Sequence, residues 1–131
     1  MSGAEQVVRM RALNLLADDP ALRTFVHGVF DGTPPRANIP YVSVGAAEGN
    51  DWGTKDRAGR EVRLTVTLVG AGEGPVGDAA ARIEAVLAGL RGAAGGWSIV
   101  SVRPVRTRFS HARDGGWRHE LVVRCRCLAG L

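Results

Sequence analysis

Residue types that commonly carry catalysis or bind metal form no recognisable catalytic or metal-binding pattern in this sequence. His27, His111 and His119 lack the spacing of a zinc-binding helix, and no carboxylate recurs beside them in a catalytic pattern. Cys125 and Cys127 are two residues apart in a strand-like stretch and therefore share a face, where they read as core-filling thiols. The sequence predicts no enzyme, no bound metal and no cofactor.

The glycine-rich segment at residues 70–74 is a candidate phosphate-binding loop by its glycine count alone. It resembles a phosphate-binding loop in glycine count, but it lacks the Gly-Lys-Ser/Thr ending that contacts the phosphates and Mg²⁺. We interpret it as a flexible connection between a strand and a helix.

A polar loop that carries one large aromatic side chain is the better candidate for a binding site. Residues 46–59 read as a long connection, and connections of this length in a compact domain are usually functional or disordered. Trp52 either folds onto the core or contacts a partner. The candidate contact residues of the loop are Trp52, Lys55, Arg57 and Arg60. The turn with Asp31, Pro34 and Pro35 is a second candidate.

Arginine supplies nearly all of the positive charge. The net charge is +4, and Lys55 is the only lysine. The bias has two interpretations: base composition of the genome, or selection of a planar side chain that binds carboxylates and phosphates. We expect one sheet face to collect Arg63, Arg106, Arg108, Arg118, Arg124 and Arg126. Such a face is either solvated, packed on another subunit, or turned toward DNA.

The elements that must position these residues follow from hydrophobic periodicity. Residues 60–69 alternate in polarity and predict a strand, antiparallel to a shorter strand at 41–45. Residues 4–17 and about 75–90 show helical spacing, with Ser2 as a candidate N-cap and Glu5 three residues later. Pro20 begins a short helical turn through Phe25, and residues 29–30 form a brief strand.

Two strands close the chain. Residues 97–109 change parity at Pro104, which predicts a bulge or an edge position. A turn at residues 112–116 leads to an alternating strand that begins at Trp117. The element order α-β-β-α-β-β predicts an α+β fold, with an antiparallel four- to five-stranded sheet and two main helices on one face. We expect residues 1–131 to form a single domain that stays in the cytoplasm, since no segment reads as a membrane span or signal peptide.

Several segments, in their order and spacing, resemble the tail terminators, also called tail-completion or head–tail joining proteins, of long-tailed phages and gene transfer agents. The segments are Ala-Leu-Asn-Leu-Leu-Ala-Asp at 12–18 with Leu22, Val-Phe-Asp-Gly-Thr-Pro-Pro at 29–35, Pro-Tyr-Val-Ser-Val-Gly at 40–45, Asp-Trp-Gly-Thr-Lys at 51–55, Gly-Arg-Glu-Val-Arg-Leu at 59–64 and Leu-Val-Val-Arg-Cys-Arg at 121–126. The glycine-rich stretches at 70–74 and 92–96 depart from the family pattern.

The resemblance implies a structural virion protein. Copies of the chain would form a ring, a hexamer in this family, that caps the tail tube and joins it to the head connector, with DNA passing through the lumen. Its strand edges would pair around the ring, which removes the aggregation hazard of a free edge. The alternative that the residues leave open is a small basic nucleic-acid-binding module that uses the arginine face.

Overall fold

A computed structural model describes residues 3–73 and 76–130. The helices are α1 (Ala4–Asp18), α2 (Pro20–Arg23) and α3 (Val76–Leu87), which a 3-10 turn (Ala88–Leu90) extends. The strands are β1 (Val29–Asp31), β2 (Tyr41–Asp51), β3 (Gly59–Ala71), β4 (Gly92–Ala94), β5 (Trp97–His111) and β6 (Gly116–Ala129). Every predicted helix and strand is present, with β4 as an addition.

The strands form a single six-stranded sheet in the order β1-β2-β3-β6-β5-β4. The predicted antiparallel arrangement is correct for every strand pair but one, because β1 pairs parallel to β2 and makes the sheet mixed. The predicted number of four to five strands is too low, since the sheet has six. The sequence could not reveal β4, since Gly92–Ala94 contains no β-branched or aromatic residue and pairs only through its backbone.

The long connection predicted at residues 46–59 is wrong in extent. Strand β2 continues to Asp51 and pairs with β3 beyond a register shift after Val44, so the loop spans only residues 52–58. The second half of β2 is rich in Ala, Gly and Asn, which have weak strand propensity. Pairing with the strongly β-forming β3 overrides that local preference.

One face of the sheet carries the hydrophobic core. Core residues of β3 face core residues of β6 across the register, for example Leu64 opposite Val123. The stripe Val8, Ala12 and Leu16 of α1 is fully buried against this face, and Ile83 of α3 is 3% exposed. Both main helices pack on the same side, as predicted. We call this side the core face.

The N-terminus of α1 is capped by a different residue pair from the predicted one. Gln6 Oε1 accepts a hydrogen bond from the Gly3 backbone N–H at 3.3 Å, so Gly3 is the N-cap of α1 and Gln6, not Glu5, closes it. The predicted cap residue Ser2 and the predicted helix start Pro75 lie outside the described residues.

Asp19 links two helices through one buried carboxylate. Its Oδ2 accepts from the Leu22 backbone N–H at 2.8 Å and from Arg82 Nε at 2.8 Å, which ties the N-terminus of α2 to α3. The hydrogen bond from Arg82 lowers the pKa of Asp19, with a further contribution from the Leu22 N–H. The ionised form is therefore the one that stabilises the fold.

Asp19→Ala is expected to lower the free energy of unfolding at pH 7 by about 1–2 kcal/mol, because the N-cap of α2 is lost. The folded pKa is lower than the unfolded one, so the contribution of Asp19 is present above about pH 4 and fades as the pH falls through the folded pKa. In urea unfolding measured from pH 7 to pH 2, the free energies of unfolding of the wild type and the variant should converge as the pH falls. Asp18→Ala, at the exposed neighbour, is the control and should change little.

Candidate assembly surfaces

The loop of residues 52–58 connects β2 and β3 and is held against the end of β6. Trp52 is half-buried, with the Arg126 guanidinium 5.3 Å from its ring centroid in a cation–π arrangement. Arg57 donates from Nε at 3.0 Å and from Nη2 at 2.8 Å to the Ala129 carbonyl. The loop is thus a fixed surface feature, and Trp52 does not enter the core cluster.

The side chains of the four predicted loop residues lie in different surroundings. Lys55 is exposed near the tip. Arg60 lies on β3 and forms an ion pair with Glu5 of α1 at 2.9 Å, on the core side of the sheet. The pKa of Glu5 is lowered by its own backbone N–H and by Arg60. The structure therefore brings Trp52 beside Arg126, while it separates Arg60 from that pair.

The second candidate contact comprises the last residue of β1 and the turn that follows it. Asp31 forms an ion pair with Arg9 of α1, and this hydrogen bond lowers the pKa of Asp31. Pro34 is half-buried and Pro35 is exposed. Asp31 pairs with Val44, whereas the loop of residues 52–58 begins after Asp51, so the two candidates are about 20 Å apart along β2.

The sheet face opposite the core collects arginines, as the sequence predicted. We call it the basic face. Five arginines of β5 and β6 belong to it, because each pairs with a residue on the non-core side of a neighbouring strand. They are Arg106, Arg108, Arg118, Arg124 and Arg126. Arg63 and Arg103 flank Arg124 on the neighbouring strands, so three guanidinium groups share one cross-strand row.

Arg103 is the residue of this face that sequence reasoning missed. Along β5 it has the opposite parity to Arg106 and Arg108, which would place it on the other side of a regular strand. A register shift between Pro104 and Arg106 inserts one extra residue and returns Arg103 to the same face. The parity change at Pro104 was the available signal.

Few carboxylates offset the charge of the basic face. Glu61 accepts from Arg126 Nε at 3.1 Å and lies 3.9 Å from an Arg63 nitrogen. Among the described side chains, Arg124 Nε is buried without a hydrogen-bond partner. Glu48 lies opposite Arg63 at one end of this row, whereas Arg124 and Arg103 oppose each other directly. Like charges on directly opposed strand positions repel each other, so the Arg103 end of the row favours an anionic neighbour.

The cysteines lie on the core face and are fully buried. Burial raises the pKa of Cys125 to about 12 and that of Cys127 to about 11. Both are free thiols, and their protonated state makes them poor nucleophiles. Within residues 3–73 and 76–130, no group of three or more His, Cys, Asp or Glu side chains could hold a metal ion. No described helix has the length and apolar character needed to cross a bilayer.

A solved structure shares this fold over almost its whole length. It is a chain in the virion of a native gene transfer agent particle, with a TM-score of 0.77 and 21% sequence identity, and the match covers 98% of our chain and 100% of that chain. No curated protein sequence matches the chain.

The family model of the tail completion protein gp17 matches residues 11–128. The match covers the second half of α1, all of α3 and nearly the entire sheet, including the loop and the basic face described above. Tail completion is a structural role. The chain therefore belongs to the tail completion protein gp17 family and is a structural protein rather than an enzyme.

Proposed function

We propose that copies of this chain form a ring, a hexamer, that caps the finished tail tube and joins it to the head connector of a phage or gene transfer agent particle. The family membership carries the proposal. The protein would assemble in the cytoplasm and then remain at the head–tail junction. Its partners would be other copies of itself, the tail tube protein and the head–tail connector, with no membrane involved.

The loop of residues 52–58 is the first proposed contact with the tail tube or a neighbouring subunit. Arg57 and the Trp52–Arg126 contact fix its shape, which reduces the entropy lost on docking. Lys55 is exposed and available to a partner carboxylate. Arg60, held by Glu5, would support the base of the loop. The turn with Asp31, Pro34 and Pro35 is the second proposed contact.

The basic face is proposed to line the lumen through which DNA passes. Its arginines lie on a surface without helices, and their number exceeds that of nearby carboxylates. Contacts with phosphates would be independent of sequence and would weaken with salt. A lumen needs weak, non-specific contacts because the DNA must slide through it.

The same face supports a second candidate function, a stand-alone nucleic-acid-binding module. The row of Arg63, Arg124 and Arg103 is the observation that favours it. Titration of duplex DNA with the isolated monomer distinguishes the two functions. Salt-sensitive binding by the monomer favours the module, whereas a concentration-dependent ring, seen by mass measurement or negative stain, favours the terminator.

Trp52→Ala combined with Lys55→Glu is expected to yield tails that fail to join heads. The double change removes the aromatic surface of the loop and reverses its tip charge. Particles assembled with the variant should be counted by electron microscopy, and infectivity or gene transfer should fall at least about 100-fold, since hot-spot losses exceed roughly 3 kcal/mol in sum.

The matched control is Arg113→Glu, which reverses an exposed charge in the turn at the opposite end of the sheet. It should leave joining intact. Circular dichroism and thermal melting must show that the double variant is folded. Normal particles from a folded double variant would remove the loop from the proposed interface.

A further inference from the structure

Two strand edges are left open in the described chain, and they lie at opposite ends of the sheet. Strand β1 covers β2 only at residues 42–44, so residues 47–51 have no strand partner on their outer side among the described residues. Strand β4 covers β5 only at residues 97–99, which leaves residues 106–111 open in the same way. Open edges of this kind template pairing with another chain.

We propose that in the assembled ring the open edge of β5 pairs antiparallel with the open edge of β2 in the next copy, so that one continuous sheet surrounds the lumen. The inference rests on the proposed ring and assigns its subunit contact. The occupant of each edge is a second copy of this chain, and the contact is head-to-tail.

The covering strands dictate a stagger between copies. Strand β1 blocks the start of β2, and β4 blocks the start of β5, so the open segments meet only if neighbouring copies are shifted along the strands. Pro104 and the bulge beside it limit the regular part of the β5 edge to residues after 105, because proline has no N–H to donate.

Face parity, charge and the exposed side chain of Phe109 together favour one register. In antiparallel pairing, residues of the basic face must oppose residues of the same face. Glu48 lies opposite Arg63, so it belongs to the basic face, as does Arg108. Placing Glu48 opposite Arg108 aligns Asn50 with Arg106 and Ala47 with Phe109. An acidic residue then meets a basic one, and Phe109, which is 47% exposed, gains an apolar neighbour.

The resulting stagger has the geometry of a closed barrel. Within one copy, Glu48 is in the same cross-strand row as Arg63, Arg124 and Arg103. In the proposed contact, Glu48 pairs with Arg108 of the neighbouring copy, and Arg108 pairs with Glu120 of its own copy. The cross-strand row is therefore displaced along β6 by the four residues that separate Glu120 from Arg124. Each copy contributes four strands to the continuous sheet, namely β2, β3, β6 and β5, and the register shifts by four residues per copy. The ratio of register shift to strand number is therefore one. Eight-stranded barrels of shear 8 have the same ratio, and their strands tilt by about 36°.

Disulfide cross-linking tests the register. Opposed antiparallel residues have Cα atoms about 4.5–5.5 Å apart, within disulfide range. Glu48→Cys with Arg108→Cys should therefore give a ladder of covalent oligomers on a non-reducing gel. Glu48→Cys with Arg103→Cys is the matched control, because Arg103 is on the same strand and face but about 13 Å away along the edge. The native cysteines are buried and do not interfere.

A charge exchange provides a second readout. Glu48→Arg or Arg108→Glu alone should raise the concentration at which half of the chains assemble by at least about tenfold, because like charges then face each other. The double exchange should restore assembly to within about threefold of the wild type. Single changes without effect, or a double exchange without rescue, would contradict the pairing.

The outcomes separate this inference from the proposed function. Rings with the cross-link at 48–108 and none at 48–103 support both. Rings by mass measurement with no cross-link at 48–108, or with equal cross-linking in the control, overturn the edge pairing and leave the ring intact. A wild-type chain that stays monomeric at every concentration, and is absent from particles, overturns the ring and this contact with it.

Discussion

Gly59→Ala is expected to destabilise the fold by about 1–3 kcal/mol, although only one methyl group is added. A Cβ at this buried position would lie 2.6 Å from the Trp52 carbonyl oxygen and 3.2 Å from the Cys127 carbonyl oxygen. Both atoms belong to the backbone, on either side of β3, so neither side can move as a flexible side chain would. The strand or the loop of residues 52–58 must shift.

Chemical denaturation measures the loss, and the fluorescence of Trp52 reports the displaced loop, with the other two tryptophans changed to Phe in both proteins. Gly77→Ala is the control, because an added Cβ there meets nothing within 4 Å in α3. That change should stabilise the helix by about 0.5–1 kcal/mol. Equal stability of Gly59→Ala and wild type would show that the close packing around Gly59 is not rigid.

Leu64→Ala is expected to have the larger effect, a loss of about 3–5 kcal/mol in the free energy of unfolding. Leu64 is fully buried at the centre of β3, opposite Val123 and beneath the helices. The close-packed neighbours cannot collapse fully into the space left by the isobutyl group. For a domain of ordinary, marginal stability, this loss is a large part of the total free energy of unfolding.

Thr65→Ala provides the comparison, since Thr65 is the next residue on the same strand but faces away from the core. Its cost should stay below about 1 kcal/mol. Urea midpoints of both variants, measured with a common m-value, decide the point. If Leu64→Ala lowered the free energy of unfolding less than Thr65→Ala does, the assignment of the two sheet faces would be wrong.

Elements with a strong period were predictable from sequence. The alternation in β3 and β6 and the helical stripe of α1 each state which side is buried, and the structure agrees. The parity change at Pro104 also predicted the bulge correctly. In these segments local preference and tertiary packing point to the same conformation.

Elements that are defined by backbone pairing were not predictable. The distal half of β2 and strand β4 consist largely of Gly and Ala, and only the register with a neighbouring strand makes them extended. The basic face was predicted in composition, but the addition of Arg103 depended on the bulge. The contact between Trp52 and Arg126 joins residues 74 positions apart, so no local pattern could reveal it.

The turn after β1 has a thermodynamic consequence for any partner that meets it. Two consecutive pyrrolidine rings restrict φ at Pro34 and Pro35, and Arg9 already anchors Asp31. Little chain mobility remains there to be surrendered when a complex forms. The entropic cost of binding at this turn would therefore be small. The association rate constant would be high, since no reordering of the chain has to precede contact.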